Sequence, residues 1–141
     1  MSFLKKLFNY THTYKEDTNM TNKDKALALI NTFATGDTDA AKNLLAEGYI
    51  QHNTGIADGL SRLGAALEAL GKQGIQMIYD QTYQVLADGN YGLAVSEGSF
   101  GGAHTSYYDL FRVENGKIVE HWDVMETIAD KSTWQNQNGK F

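Results

Sequence analysis

Asp109, Arg112, Glu120, His121, Trp122 and Asp123 crowd into one short stretch, YYDLFRVENGKIVEHWDVM, from Tyr107 to Met125. His121 and Asp123 stand two residues apart, so on an extended strand they share a face. An imidazole and a carboxylate placed that way can pass a proton or a hydrogen bond to a common target. A sheet face tolerates so many charged groups only if they are paired or if the face lines a cavity. A free aspartate titrates near ~3.9, too low for a base that must take a proton from beside a carbonyl at neutral pH. Burial in an apolar pocket and a neighbouring carboxylate raise that value, whereas Arg112 or a protonated His121 lowers it. Acid/base chemistry at Asp123 therefore depends on a dry pocket. Spacing alone also fits a solvent-facing His–Asp pair.

Other chemistries find less support. Cysteine is absent and no serine sits in an elbow-type setting, so nucleophilic catalysis has no candidate. His52, His104, His121, Asp109 and Asp123 lack helical or loop ligand spacing, and no metal is expected. Arg112 with Glu120 reads as a cross-strand ion pair, and Trp122 as core or interface. A second polar cluster, Gln51, His52 and Asn53, occupies the connector Tyr49–Asp58, whose start looks extended. Its His52 and Asn53 could equally serve backbone groups of the loop. His12 and His104 have no evident partner.

Positioning these groups falls to a chain of 141 residues, enough for one domain with a sizeable core. A net charge of −5 argues against nucleic acid as a partner, and no apolar run is long enough to span a membrane. The lack of cysteine fits a reducing cytoplasm. Proline is absent, so turns fall to Asn, Asp and 14 glycines. Residues 1–19 stand apart as a loosely held extension, with Phe3, Leu4, Leu7 and Phe8 beside Lys5 and Lys6. The globular pattern runs from 20 to 141.

Thr21 and Asp24 frame a helix start, Ala26, Leu29, Ile30 and Phe33 follow at helical spacing, and Gly36 ends the helix. Asp37 opens a second helix through Leu44 and Leu45 to Gly48. A third runs from Asp58 to about Leu70, with Leu60, Leu63, Leu67 and Leu70 as a core stripe and Gly64 permitting a close neighbour. The period then changes to two. Met77, Tyr79, Tyr83 and Val85 share a face of the first long strand, and Tyr91–Phe100, His104–Glu114 and Lys117–Ile128 form three more. This is an α+β order with a four-strand antiparallel meander. Asn115-Gly116 marks the last hairpin, and its loop sets the register. A two-residue loop sets Tyr108 opposite Asp123; a three-residue loop with a bulge at Gly116 sets Tyr107 opposite Asp123 and Asp109 opposite His121.

Tyr49-Ile-Gln-His-Asn-Thr, then Asp58-Gly59, then Asp109 through Val124 together resemble the SnoaL-like polyketide cyclase family of the nuclear transport factor 2-like superfamily. The resemblance covers roughly Thr21 to Ile128, with Thr54 where the family more often has proline. It implies a cone-shaped fold, a curved antiparallel sheet wrapped around three N-terminal helices. It also implies a homodimer packed through the sheet and no cofactor or metal. The implied activity is cofactor-independent lyase or isomerase chemistry, an aldol-type closure of a small hydrophobic carbonyl ligand. Its acid/base would be Asp123, with the His52-Asn53 pair and Asp109 near the substrate. The strand-face spacing adds His121 as partner of Asp123, and Tyr107 and Trp122 are further candidate substrate contacts in the same stretch. The comparison also favours the three-residue loop. A ligand-holding or dimerising module of the same fold is the alternative. Epoxide hydrolysis by Asp109, Arg112 and Asp123 is disfavoured because Arg112 falls on the opposite strand face.

Overall fold

The computed structural model describes residues 20–141, so the expected extension over 1–19 lies outside the described residues. Helix α1 (Asn22–Thr35) starts where Thr21 Oγ1 accepts the Asp24 backbone N–H and the Asp24 carboxylate accepts that of Thr21. It ends at Gly36 in the left-handed region. Helix α2 (Thr38–Leu44) is capped by Asp37. The expectation that it continues to Gly48 fails. Leu45 already belongs to strand β1 (Leu45–Gln51), which pairs with the last strand and so satisfies edge groups of that strand that a longer helix would leave open.

Helix α3 (Leu60–Lys72) begins two residues later than expected: its N-cap is Gly59, and the Asp58 carboxylate instead accepts the Gln51 backbone N–H at 2.8 Å. Leu63 is buried, and Leu60 and Leu67 pack against the core. Gly64 faces open space rather than a close neighbour. Strands β2 (Met77–Asp88), β3 (Tyr91–Phe100), β4 (Ala103–Glu114) and β5 (Lys117–Thr127) form the antiparallel meander. The connector adds what the meander expectation omits: β1 lies parallel to β5, giving a mixed five-stranded sheet in the order β1-β5-β4-β3-β2.

The helices cover one face of this curved sheet. Ala26, Leu29 and Ile30 of α1 are buried together with Tyr107, Phe111 and Ile118 of the sheet. At Gly92 a Cβ would come within 3.0 Å of both Ala26 Cβ and the Asn22 carbonyl, so glycine sets how closely α1 approaches β3. Two irregularities in β2, at Asp80 and Tyr83, put Tyr79, Thr82 and Val85 on the inner face at intervals of three. Tyr83, expected on that face, points outward instead. It donates to Glu97 at 2.6 Å and stacks on Phe141. No helix among the described residues is long and apolar enough to cross a membrane.

Candidate active site

The β4–β5 hairpin builds the floor of the site. Asn115 and Gly116 both have positive φ, as a two-residue turn of this type requires, and Glu114 pairs with Lys117. Neither register expected from the loop survives. Val113 pairs with Ile118 but Arg112 pairs with Glu120, so Val119 is an extra residue bulged out of the ladder. That bulge resets the alternation of β5. Ile118 points inward, and beyond the bulge His121, Asp123 and Met125 also point inward, opposite Phe111, Asp109 and Tyr107. The single wall of Asp109, His121 and Asp123 therefore forms, by a different route from the bulge expected at Gly116.

Strand β1 completes the wall. Gln51 pairs with His121, and His52 continues the ladder by donating its N–H to the His121 carbonyl at 2.9 Å. Alternation then turns Tyr49, Gln51 and Asn53 inward and His52 outward. Asn53 Nδ2 donates to Asp123 Oδ2 at 2.8 Å, and the Asn53 N–H donates to Gln51 Oε1 at 3.0 Å. Gln51 Oε1 also meets His121 Nδ1 at 3.0 Å, and His121 Nε2 meets Asp109 Oδ1 at 2.9 Å. Tyr79 closes the chain by donating to Asp109 Oδ2 at 3.2 Å. Four of these five links join side chain to side chain, the fifth starts at the Asn53 backbone, and together they tie β2, β4 and β5 to β1 and the residues just after it.

Above this network lies a pocket of about 360 Å³. Leu29 and Phe33 of α1, Leu63, Leu67 and Leu70 of α3, and Phe111 and Met125 of the sheet make its walls. Gln51, Asn53, His121 and Asp123 gather at one end. Asp109 lies beneath them at 1% exposure. Burial pushes its carboxyl above the ordinary aspartate range, and the Asp123 charge adds to this; the His121 and Tyr79 hydrogen bonds pull it back. Tyr79 is raised well above the ordinary phenol value, first by burial and then by Asp109. Tyr107 is pushed up to about 12, mainly by burial.

The expected site residues thus divide. Asn53, His121 and Asp123 line the pocket, and Asp109 supports them from below. Tyr107 is buried, stacked on Tyr79, with its hydroxyl given to the Ser99 carbonyl, and it is not part of the lining. His52 and Trp122 lie on the opposite face of the sheet, stacked on each other with centroids 4.6 Å apart, and His52 Nε2 meets Glu120 at 2.8 Å. Arg112 is on that outer face too, bonded to Glu120 at 2.6 Å and to Glu114, so it forms no set with the two aspartates. Gln51 and Tyr79 are site members the sequence reading did not select. Gln51 had a signal, since it alternates with Tyr49 and Asn53 on an extended segment.

Asp109, His121 and Asp123 also bring one donor atom each within 4.8 Å of one another, the one such grouping found among the described residues. His121 Nε2 and Asp109 Oδ1 are turned toward each other rather than toward a common centre.

Known proteins confirm the fold and supply a family. A cystatin-like protein of unknown function from Xanthomonas campestris superposes with a TM-score of 0.65 at 24% identity, over 80% of this chain and 94% of that one. A nuclear transport factor 2-like protein of unknown function from Cytophaga hutchinsonii gives 0.64 at 20% identity, over 78% and 94%. IdmH of Streptomyces antibioticus, described as a putative polyketide cyclase, gives 0.57 at 18% identity, over 76% and 93%. At these identities the likeness is one of fold. A search of the curated proteins found no match. The family model for the SnoaL-like domain matches residues 26–121, from the middle of α1 to His121 itself, and the chain belongs to that family.

Proposed function

We propose that the protein is a cofactor-independent acid/base enzyme that closes or condenses a small, largely apolar carbonyl compound by an aldol-type step. One observation carries this reading: the Asp123 carboxyl, held through Oδ2 by Asn53, sits at the polar end of a largely apolar pocket of about 360 Å³. That volume suits a ligand of modest size with few polar groups. In the proposed step Asp123 takes a proton from the carbon beside a carbonyl. The electron pair so released forms a bond to a second carbonyl carbon, whose oxygen takes up the π electrons and receives the proton back. Nothing is oxidised or reduced, and no group leaves. Asn53 fixes the carboxyl, and His121 and Asp109 support it from the floor. The description of IdmH, on the same fold, as a putative polyketide cyclase is consistent with this class.

Asp123→Asn preserves the Asn53 contact on one side and removes the base. Turnover on a panel of β-keto compounds is expected to fall about 10²- to 10⁴-fold with the far-UV circular dichroism unchanged. Unchanged turnover would refute the mechanism. Tight stoichiometric binding with no chemical change in the ligand would instead mark a binding module.

The reading includes a homodimer through the outer sheet face. Leu86, Leu93, Leu110 and Trp122 lie in one cross-strand row there, with Val95, Tyr108 and Val124 in the next. Exposures of 58% at Leu86 and 65% at Val124 are high for apolar side chains on a sheet, and a second copy would cover them.

A further inference from the structure

We infer that Gln51 is a positioning residue that dictates where the protons sit in the buried Asp109–His121 pair: one on His121 Nδ1 and one more in the contact between Nε2 and Asp109 Oδ1. For its catalytic consequence this rests on the function proposed above, but the proton placement stands on the hydrogen bonds alone.

The starting point is the backbone N–H of Asn53, which can only donate. It meets the Gln51 side chain at 3.0 Å, so the atom there is the amide oxygen, and the amide nitrogen is left to the Tyr49 hydroxyl at 3.3 Å. Rotating the amide would set two donors against each other at a part-buried site. The same oxygen faces His121 Nδ1 at 3.0 Å and has no hydrogen to give, so Nδ1 must carry one. A neutral imidazole has a single N–H. With that proton spent on Nδ1, Nε2 would be a bare lone pair facing a carboxylate oxygen at 2.9 Å, with both residues buried. Two acceptors at that distance repel, so a proton lies between them. Either Asp109 is a carboxylic acid donating to Nε2, or an imidazolium donates to the Asp109 carboxylate. The pair has zero net charge in both forms.

The surroundings agree. Tyr79 donates to the other Asp109 oxygen, Phe111 stacks on the His121 ring at 4.9 Å, and α1 presents only Leu29 and Phe33 to this end of the pocket. Among the described residues no lysine or arginine reaches Asp109; the titratable groups around it are His121, Asp123, Tyr79 and Tyr107. The upward displacement of the Asp109 carboxyl by burial points the same way. The consequence for the site is electrostatic. Asp109 and Asp123 have oxygens within 4.8 Å, and the shared proton removes one of the two negative charges from beneath the pocket.

The test is long-range ¹H–¹⁵N correlation of the histidine rings between about pH 5 and 9. In the native protein Nδ1 of His121 is expected to show the shift of a protonated nitrogen throughout. Gln51→Leu removes the acceptor, so at the alkaline end the neutral ring should move to the Nε2–H form and the pair should lose its proton at lower pH. Gln51→Glu keeps an acceptor at Nδ1 and should keep the native pattern, which also serves if the leucine variant does not fold. A bare Nδ1 in the native protein at pH 7–8, or an unchanged ring pattern in Gln51→Leu, would overturn the inference. In turnover, the alkaline limb of the kcat profile of Gln51→Leu is expected to move down by about one unit with KM changed less than about threefold. Unchanged turnover in Asp123→Asn alongside the native ring pattern would sink the proposed reaction and leave the proton placement intact.

Discussion

Asp109 and Asp123 face each other across the β4–β5 ladder, yet they live in different surroundings. Asp123 borders the pocket and takes an amide hydrogen bond, whereas Asp109 is sealed beneath it. Two like groups held apart in environment are the usual basis for dividing acid and base roles. The sign of the stability effect follows from the raised Asp109 value. The folded chain holds the Asp109 proton more tightly than the unfolded chain, so this residue's contribution is full below the ordinary aspartate range, ~3.9, and is lost as pH rises toward the raised value. Asp109→Asn mimics the protonated form and cannot titrate. The native protein should therefore lose stability relative to Asp109→Asn as pH climbs from about 4, measured as the difference in Tm at each pH; a constant difference would contradict it. Residue types were legible here, since Asp109, His121, Asp123 and Asn53 all meet. Facing was less so: His52 and Asn53 are neighbours in sequence, and only the alternation of β1 shows that the sheet separates them.

At the level of elements, bulges decide which residues share a face. The helices announce themselves through the Thr21–Asp24 cap, the leucine stripe and Gly36, and the turn at Asn115-Gly116 is equally plain. Val119 carries no comparable mark. It is a β-branched residue in a strand, and what displaces it is the joint demand of burying Ile118 and His121 on one side. The same holds for the irregularities at Asp80 and Tyr83 in β2. The strand β1 was only half visible because its pairing partner is 70 residues downstream. Spacing between helix and sheet is more easily tested. Gly92→Ala places a methyl group 3.0 Å from Ala26 Cβ and the Asn22 carbonyl, so α1 must lift. A loss of about 1–3 kcal/mol in urea unfolding is expected, with no loss at all arguing against tight packing of α1 on β3.

For the whole molecule, the outer sheet face separates a monomer from a pair. Leu86→Asp and Val124→Asp alter side chains that are already more than half exposed, so each protomer should keep its fold. If two copies meet there, the double variant should sediment as a monomer at concentrations where the parent is a dimer; identical sedimentation would place the contact elsewhere or remove it. The parallel pairing of β1 with β5 has a consequence in time. Gln51 and Asn53 are synthesised 70 residues ahead of their partners His121 and Asp123. Helices α1 and α3 can form beforehand, and the first hairpin can close on its own local contacts. The pocket's polar end cannot. A nascent chain stalled before Lys117 would have α1, α2 and α3 but not the polar end of the pocket, so assembly of that end waits for β5.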